Sequence, residues 1–201
     1  MVGITITYNA IEAAVALVAG TVASSTALLA FGLDSIVEVL SAAAVAWQFS
    51  ARDPESREKV ALRVIAYSFF ALAGYVFVDI ALGLILAREA QPSSVGIVLA
   101  AVSVVVMPGL SWFERRAGRE LGSATAVADS RQTLLCAYLS GAVLLGLLLN
   151  SVVGAAWADS VAALIIAGWA IREGIEAWRG EACAVPVAAL TGGQHPEIPG
   201  G

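Results

Sequence analysis

The apolar residues of this chain come in runs of roughly 20, the length a helix needs to cross about 30 Å of hydrocarbon at 1.5 Å per residue. Nothing else in the sequence narrows the fold as far. In lipid every backbone N–H and C=O must be satisfied within the protein, so runs of this length read as spanning helices. The alternative is a large buried core, and here composition decides. Of 201 residues, 59% are hydrophobic and only 13% charged, with a mean hydropathy of +0.85, whereas a soluble domain carries about 25% charged residues. A globule of this length could not bury so many long apolar helices. The expected fold is an all-α membrane protein of six transmembrane helices.

The spans fall at about 4–23, 26–49, 60–87, 93–113, 124–149 and 158–178. Ser24-Ser25 is a tight link between the first two, and SARDPESREK is a polar loop between the second and third. Pro108 is expected to kink span four, which neighbouring helices make tolerable. Residues 150–156, with Gly154, read as the turn before span six, and Asp159 as the cap of that span. From about 181 to 201 the chain turns to Pro and Gly without periodicity and is expected to be a disordered tail. The three triplets Leu33-Asp34-Ser35, Ala128-Asp129-Ser130 and Ala158-Asp159-Ser160 echo each other, but so short a match arises by chance.

Orientation follows from Lys and Arg near span ends. Arg52, Arg57, Lys59, Arg63, Arg115, Arg116, Arg119, Arg131, Arg172 and Arg179 fall on one side and Arg88 alone on the other, ten of the eleven cationic residues. Both termini are therefore expected in the cytoplasm. The N-terminus has no basic region or cleavage site, and Glu12 interrupts its apolar run, so a signal peptide is not expected. Met1 sits almost at the membrane edge, which leaves room for an upstream start or a short first helix. No basic patch carries interleaved aromatics, so nucleic acid is not an expected partner. Cys136 and Cys183 cannot build a disulfide framework and are read as reduced thiols. Ala163 with Ala167, and Ala71 with Gly74 and Tyr75, suit close helix approach and are compatible with a dimer.

Acids inside spans are costly, at least ~2.5–3.5 kcal/mol on insertion scales, and point to function. Asp34 and Glu38 lie four apart, on one face of span two, with no basic residue in that span. Two stacked carboxylates favour binding a proton or a cation between them; the plain alternative is a water-filled crevice or a partner on another helix. Asp129, Gln132 and Cys136 share a face of span five at i, i+3, i+7. Cys136 taken alone reads equally as a small buried hydrophobe. Spans two and five enter from opposite sides, so residues near 37 and 137 meet at one depth, with Asp34 expected to face Cys136 and Glu38 to face Gln132. Two carboxylates, a thiolate and an amide oxygen then suit a tetrahedral cation such as zinc. Span one adds Tyr8, Asn9 and Glu12; Glu12 reads as a third-helix ligand, a proton carrier, an entry residue or a packing partner. Asp79 and Asp159 lie toward the outer surface, where capping or interface roles fit, and Cys183 with His195 forms a weak metal pair.

These residues resemble the cation diffusion facilitator family. Ser25-Thr26-Ala27-Leu28-Leu29 through Asp34-Ser35 and Glu38 is similar to that family's second helix, Ala128-Asp129-Ser130-Arg131-Gln132 to the opening of its fifth, and Trp157-Ala158-Asp159-Ser160-Val161-Ala162-Ala163-Leu164 to the opening of its sixth. The resemblance covers about 1–180. It implies a homodimeric exporter in the cell membrane, of the bacterial inner-membrane type, exchanging a divalent metal for protons by alternating access. Carried over, the metal ligands are Asp34, Glu38, Gln132 and Cys136, with Tyr8, Asn9, Glu12 and Asp129 as accessory or proton-coupling residues. The family commonly places His or Asp, then Asp, where Gln132 and Cys136 stand. The His-rich element of its loop after helix two is replaced by Arg52 through Lys59. Only about 20 residues follow span six, so a short branch without the family's cytoplasmic metal-binding domain is expected. A thiolate suits zinc, cadmium or cobalt better than magnesium or calcium, with iron and manganese as further candidates. No cofactor is expected.

Two other classes compete. A metal-binding membrane protein that does not transport, whether sensor, buffer or partner subunit, would bind without flux. A carrier of another cation or an organic solute would need an aromatic-lined cavity, yet Trp47, Trp112, Trp157, Trp169 and Trp178 lie toward span ends, as interface anchors do. An enzyme fits least: the only histidine, His195, is in the tail, and no glycine-rich phosphate loop is present.

Overall fold

The computed structural model describes residues 2–50, 55–120 and 124–179. Arg52 of the polar loop and the tail with Cys183 and His195 lie outside the described residues, as do the side chains of Asp129 and Gln132. Six helices follow in order: α1 Val2–Ala23, α2 Thr26–Phe49, α3 Glu55–Ile85, α4 Ser94–Glu120, α5 Ala124–Val153 and α6 Trp157–Arg179. Among the described residues there is no strand. Five of the helices are long and apolar enough to cross a membrane. The sixth, α6, carries Asp159, Arg172, Glu173, Glu176 and Arg179, but its small-residue face of Ala162, Ala163, Ala167 and Ala170 is buried in the bundle.

Helix α2 is the axis of the fold. In its apolar window 61% of the residues are buried, against 22% in that of α3, and it packs on α1, α3, α5 and α6. Lipid gives little hydrophobic drive between helices, so small side chains that let backbones approach do most of the packing. The core follows that rule: Ala16, Ala27, Ala30, Ala66, Ala100, Ala163 and Ala167 are buried around Phe31, Leu28, Leu147 and Ile166. Ala163 and Ala167 thus serve packing within one chain. The face of α3 with Ala71, Gly74 and Tyr75 is exposed instead.

The helices outrun the apolar spans where polar residues continue the turn. Helix α3 begins at Glu55, about one turn before the apolar run, and α4 continues through Pro108 to Glu120. Helix α5 runs to Val153, and Gly154 turns the chain with φ of 70°, a left-handed conformation that glycine adopts without a Cβ clash. At that end Gln91 N donates to Ala23 O at 2.8 Å, and Asn150 Nδ2 donates to Ala90 O at 2.8 Å, tying the α3–α4 loop to the ends of α1 and α5. At the other end Arg57 stacks over Trp47 at 4.6 Å and Arg172 over Trp169 at 4.9 Å, the cation–π geometry of a basic rim.

Candidate metal centre

The centre forms where α2 faces α5. Asp34 and Glu38 are one turn apart on α2, and Cys136 comes from α5; one ligand atom from each lies within 4.8 Å of the others. Asp34 and Cys136 are each 6% exposed, and Glu38 is half-buried. Cys136 Sγ donates to Glu38 Oε1. From α1, Asn9 Nδ2 donates to Glu38 Oε2 at 2.6 Å. Both Glu38 oxygens are therefore held, one from each neighbouring helix. Among the described residues no Lys or Arg pairs with Asp34 or Glu38.

Asp34 lies within 4.8 Å of Cys136, but the thiol's hydrogen bond goes to Glu38. Side chains on a helix lean toward its N-terminus. Helices α2 and α5 run in opposite directions, so Glu38 leans toward the depth of Asp34 while Cys136 leans back toward Glu38. The two tilts bring these side chains together, and Asp34 completes the group from above.

Of the accessory candidates, Asn9 is 3% exposed and touches the centre through Glu38. Glu12, 2% exposed, is engaged elsewhere: Ser35 Oγ donates to its Oε2 at 2.9 Å, and Ser103 Oγ donates to its Oε1. Tyr8 OH hydrogen-bonds Ser103 Oγ at 2.8 Å. Glu12 thus ties α1 to α2 and α4 beside the centre instead of joining the ligand group. Ser35 and Ser103 carry that tie; the only sequence signal for Ser103 is a hydroxyl in the middle of an apolar span.

A second polar network closes the opposite end of α2. Ser25 caps the helix, its Oγ accepting from Leu28 N at 3.1 Å, the usual N-cap arrangement. Asp159 reaches across from α6 to the same end. Its Oδ1 accepts from Ser25 Oγ at 2.5 Å and its Oδ2 from Ala27 N at 3.2 Å. Asp159 therefore caps α2, not its own helix. Next to it Thr26 Oγ1 donates to Asp79 Oδ2 at 2.6 Å, and Arg88 pairs with Asp79 Oδ1 at 2.7 Å.

Buried acids and a thiol thus converge inside a helical bundle with five helices long and apolar enough to cross a membrane. The family described as "Cation efflux transmembrane domain" matches residues 2–179, and the chain belongs to that family. It is thus an integral, multi-pass membrane protein of a divalent-cation efflux family whose members are transporters rather than enzymes. No curated protein matches the chain.

Proposed function

We propose that this protein exports a zinc-type divalent metal in exchange for protons, holding the ion at Asp34, Glu38 and Cys136. The observation that carries the reading is the convergence of these three ligand atoms, within 4.8 Å, from two helices of the bundle. Two carboxylates and a thiolate favour a borderline or soft cation, zinc, cadmium or cobalt ahead of manganese and iron. Gln132 stands one turn before Cys136 in the sequence of α5, the spacing of a fourth ligand, and Asp129 one turn further toward the helix start.

Carboxylate and thiolate are the ligating forms, so metal binding displaces protons from the group. Glu38 is the most exposed of the three and lies one turn nearer the basic rim than Asp34, which makes it the entry ligand for an ion arriving from that side. In the sequence ten of the eleven cationic residues fall toward that side, which favours a cytoplasmic location for it and for both termini. Rearrangement of one helix group against another then opens the centre to the far side, where incoming protons weaken the ligands and release the ion. The exposed face of α3 fits a second copy of this chain. Residues 1–180 form the transmembrane domain and 181–201 a cytoplasmic tail.

The test is uptake of zinc, cadmium, cobalt, manganese and iron into proteoliposomes under a pH gradient. Saturable flux ranked with zinc and cadmium first, and dependent on the gradient, supports the reading. Binding without flux would assign the protein a non-transporting metal-binding role instead.

A further inference from the structure

The centre has one loose end. Asn9 is 3% exposed, yet its Oδ1 has no hydrogen-bond partner among the described residues. Buried side-chain oxygens are nearly always paired, and one that is not calls for a specific explanation. Flipping the amide does not supply one, because Oδ1 would then face the Glu38 carboxylate that Nδ2 now serves at 2.6 Å. Oδ1 sits on the same carbon as Nδ2, so it lies within one amide's width of a group already bonded to Glu38.

The charge balance says what belongs there. In their ligating forms Asp34, Glu38 and Cys136 carry three negative charges against two on a divalent ion, so a further ligand should be neutral if it is not to add buried charge. An amide oxygen is neutral and a good acceptor. Zinc-type ions take four ligands, expanding to five at need, and the described cluster supplies three.

We propose that Asn9 is a direct ligand of the transported ion, binding it through Oδ1 while Nδ2 keeps its bond to Glu38, so that α1 joins α2 and α5 in holding the cargo. The inference rests on Asp34, Glu38 and Cys136 being the cargo site. It makes α1 part of the moving machinery: an ion that leaves must let go of three helices, and Glu12, one turn further along α1, ties that helix to α2 and α4 through Ser35 and Ser103. It also sets preference, since an oxygen in place of a second sulfur keeps the site suited to zinc and cobalt over softer monovalent ions.

The experiment is cobalt binding to the purified full chain, read by its thiolate-to-metal absorption band and by the dissociation constant, in the wild type, Cys136→Ser, Asn9→Leu and Asn9→Asp. The band is expected in the wild type and absent in Cys136→Ser; its absence in the wild type overturns the cargo site and the inference together. With the band present, Asn9→Leu is expected to weaken binding by more than the ~10–100-fold that loss of an outer hydrogen-bond partner costs. Asn9→Asp keeps an oxygen but loses the amide donor; its added charge costs burial and gains attraction to the ion, and affinity is expected to stay within a few-fold of the wild type. Wild-type affinity in Asn9→Leu overturns the inference and leaves the cargo site standing. A drop in Asn9→Asp as large as in Asn9→Leu also overturns it, because Asn9 would then act only by orienting Glu38. If Asn9→Leu does not fold, Asn9→Asp alone decides.

Discussion

Asp159→Ala should loosen the bundle without touching the metal centre. Asp159 is 2% exposed and accepts two hydrogen bonds at the start of α2, from Ser25 Oγ at 2.5 Å and Ala27 N at 3.2 Å. Removing the carboxylate strands a buried amide and a hydroxyl and takes negative charge from a helix N-terminus. In a soluble core two charge-assisted bonds would be worth about 1.5–3 kcal/mol each. Within membranes the same bonds average nearer ~0.6 kcal/mol and reach ~1.7, because the unfolded chain in lipid also finds partners. A helix N-terminal charge contributes a further ~0.3–1 kcal/mol. The membrane values govern here, and the loss comes to about 2–3 kcal/mol. At ~2–4 °C per kcal/mol for a chain of this size, the unfolding midpoint should fall by roughly 4–12 °C. Asp159→Asn keeps one acceptor and should lose about half as much. The assay is the fraction of purified protein that stays monodisperse in detergent after graded heating. Asp34 lies about 12 Å further along α2, so zinc affinity in the folded variant should match the wild type. A midpoint within about 2 °C of wild type, roughly 1 kcal/mol or less, would refute the capping role.

Three other substitutions probe separate links. Gly96→Ala would place a Cβ 2.5 Å from Leu28 Cδ1 and 3.2 Å from Leu147 Cδ1, both fully buried side chains, so overpacking should cost about 1–3 kcal/mol in the same heating assay. Ser103→Ala removes the hydroxyl shared by Glu12 and Tyr8; stability should fall by about 1–2 kcal/mol while cobalt affinity holds, and a large loss of affinity would place Glu12 among the ligands. Cys136→Ser replaces a soft ligand with a hard one, so cadmium affinity should fall by a larger factor than manganese affinity when both are titrated side by side. Equal losses would show that the thiol does not touch the ion.

The helices were legible because a 20-residue apolar run in a chain this poor in charge has few other uses. Their ends were less so. Hydropathy marks the part in lipid, whereas α3 and α4 continue into Glu55 and Glu120 because nothing polar at those positions breaks a helix. Asp34 with Glu38, and Cys136 on the facing helix, stood out because each breaks an apolar face. That the thiol's hydrogen bond goes to Glu38 did not, since spacing fixes the face of a helix but not the lean of its side chains. Sequence offers Asp159 only the nearest N-terminus, that of its own helix; the one it serves begins at Thr26, more than 130 residues away. The orphaned oxygen of Asn9 is visible only once its neighbours are in place.

Transport of a metal ion across the membrane through the α2–α5 centre, as proposed above, can be tested at Asp34. The most direct measurement is the initial rate of zinc uptake into proteoliposomes holding equal amounts of wild type and Asp34→Asn, the variant chosen because it keeps the shape of the side chain while removing the charge. Saturable uptake by the wild type and a loss of at least ~100-fold in Asp34→Asn are expected, in line with removing a charged ligand worth about 3 kcal/mol or more. Equal rates in the two proteins would contradict transport through this centre.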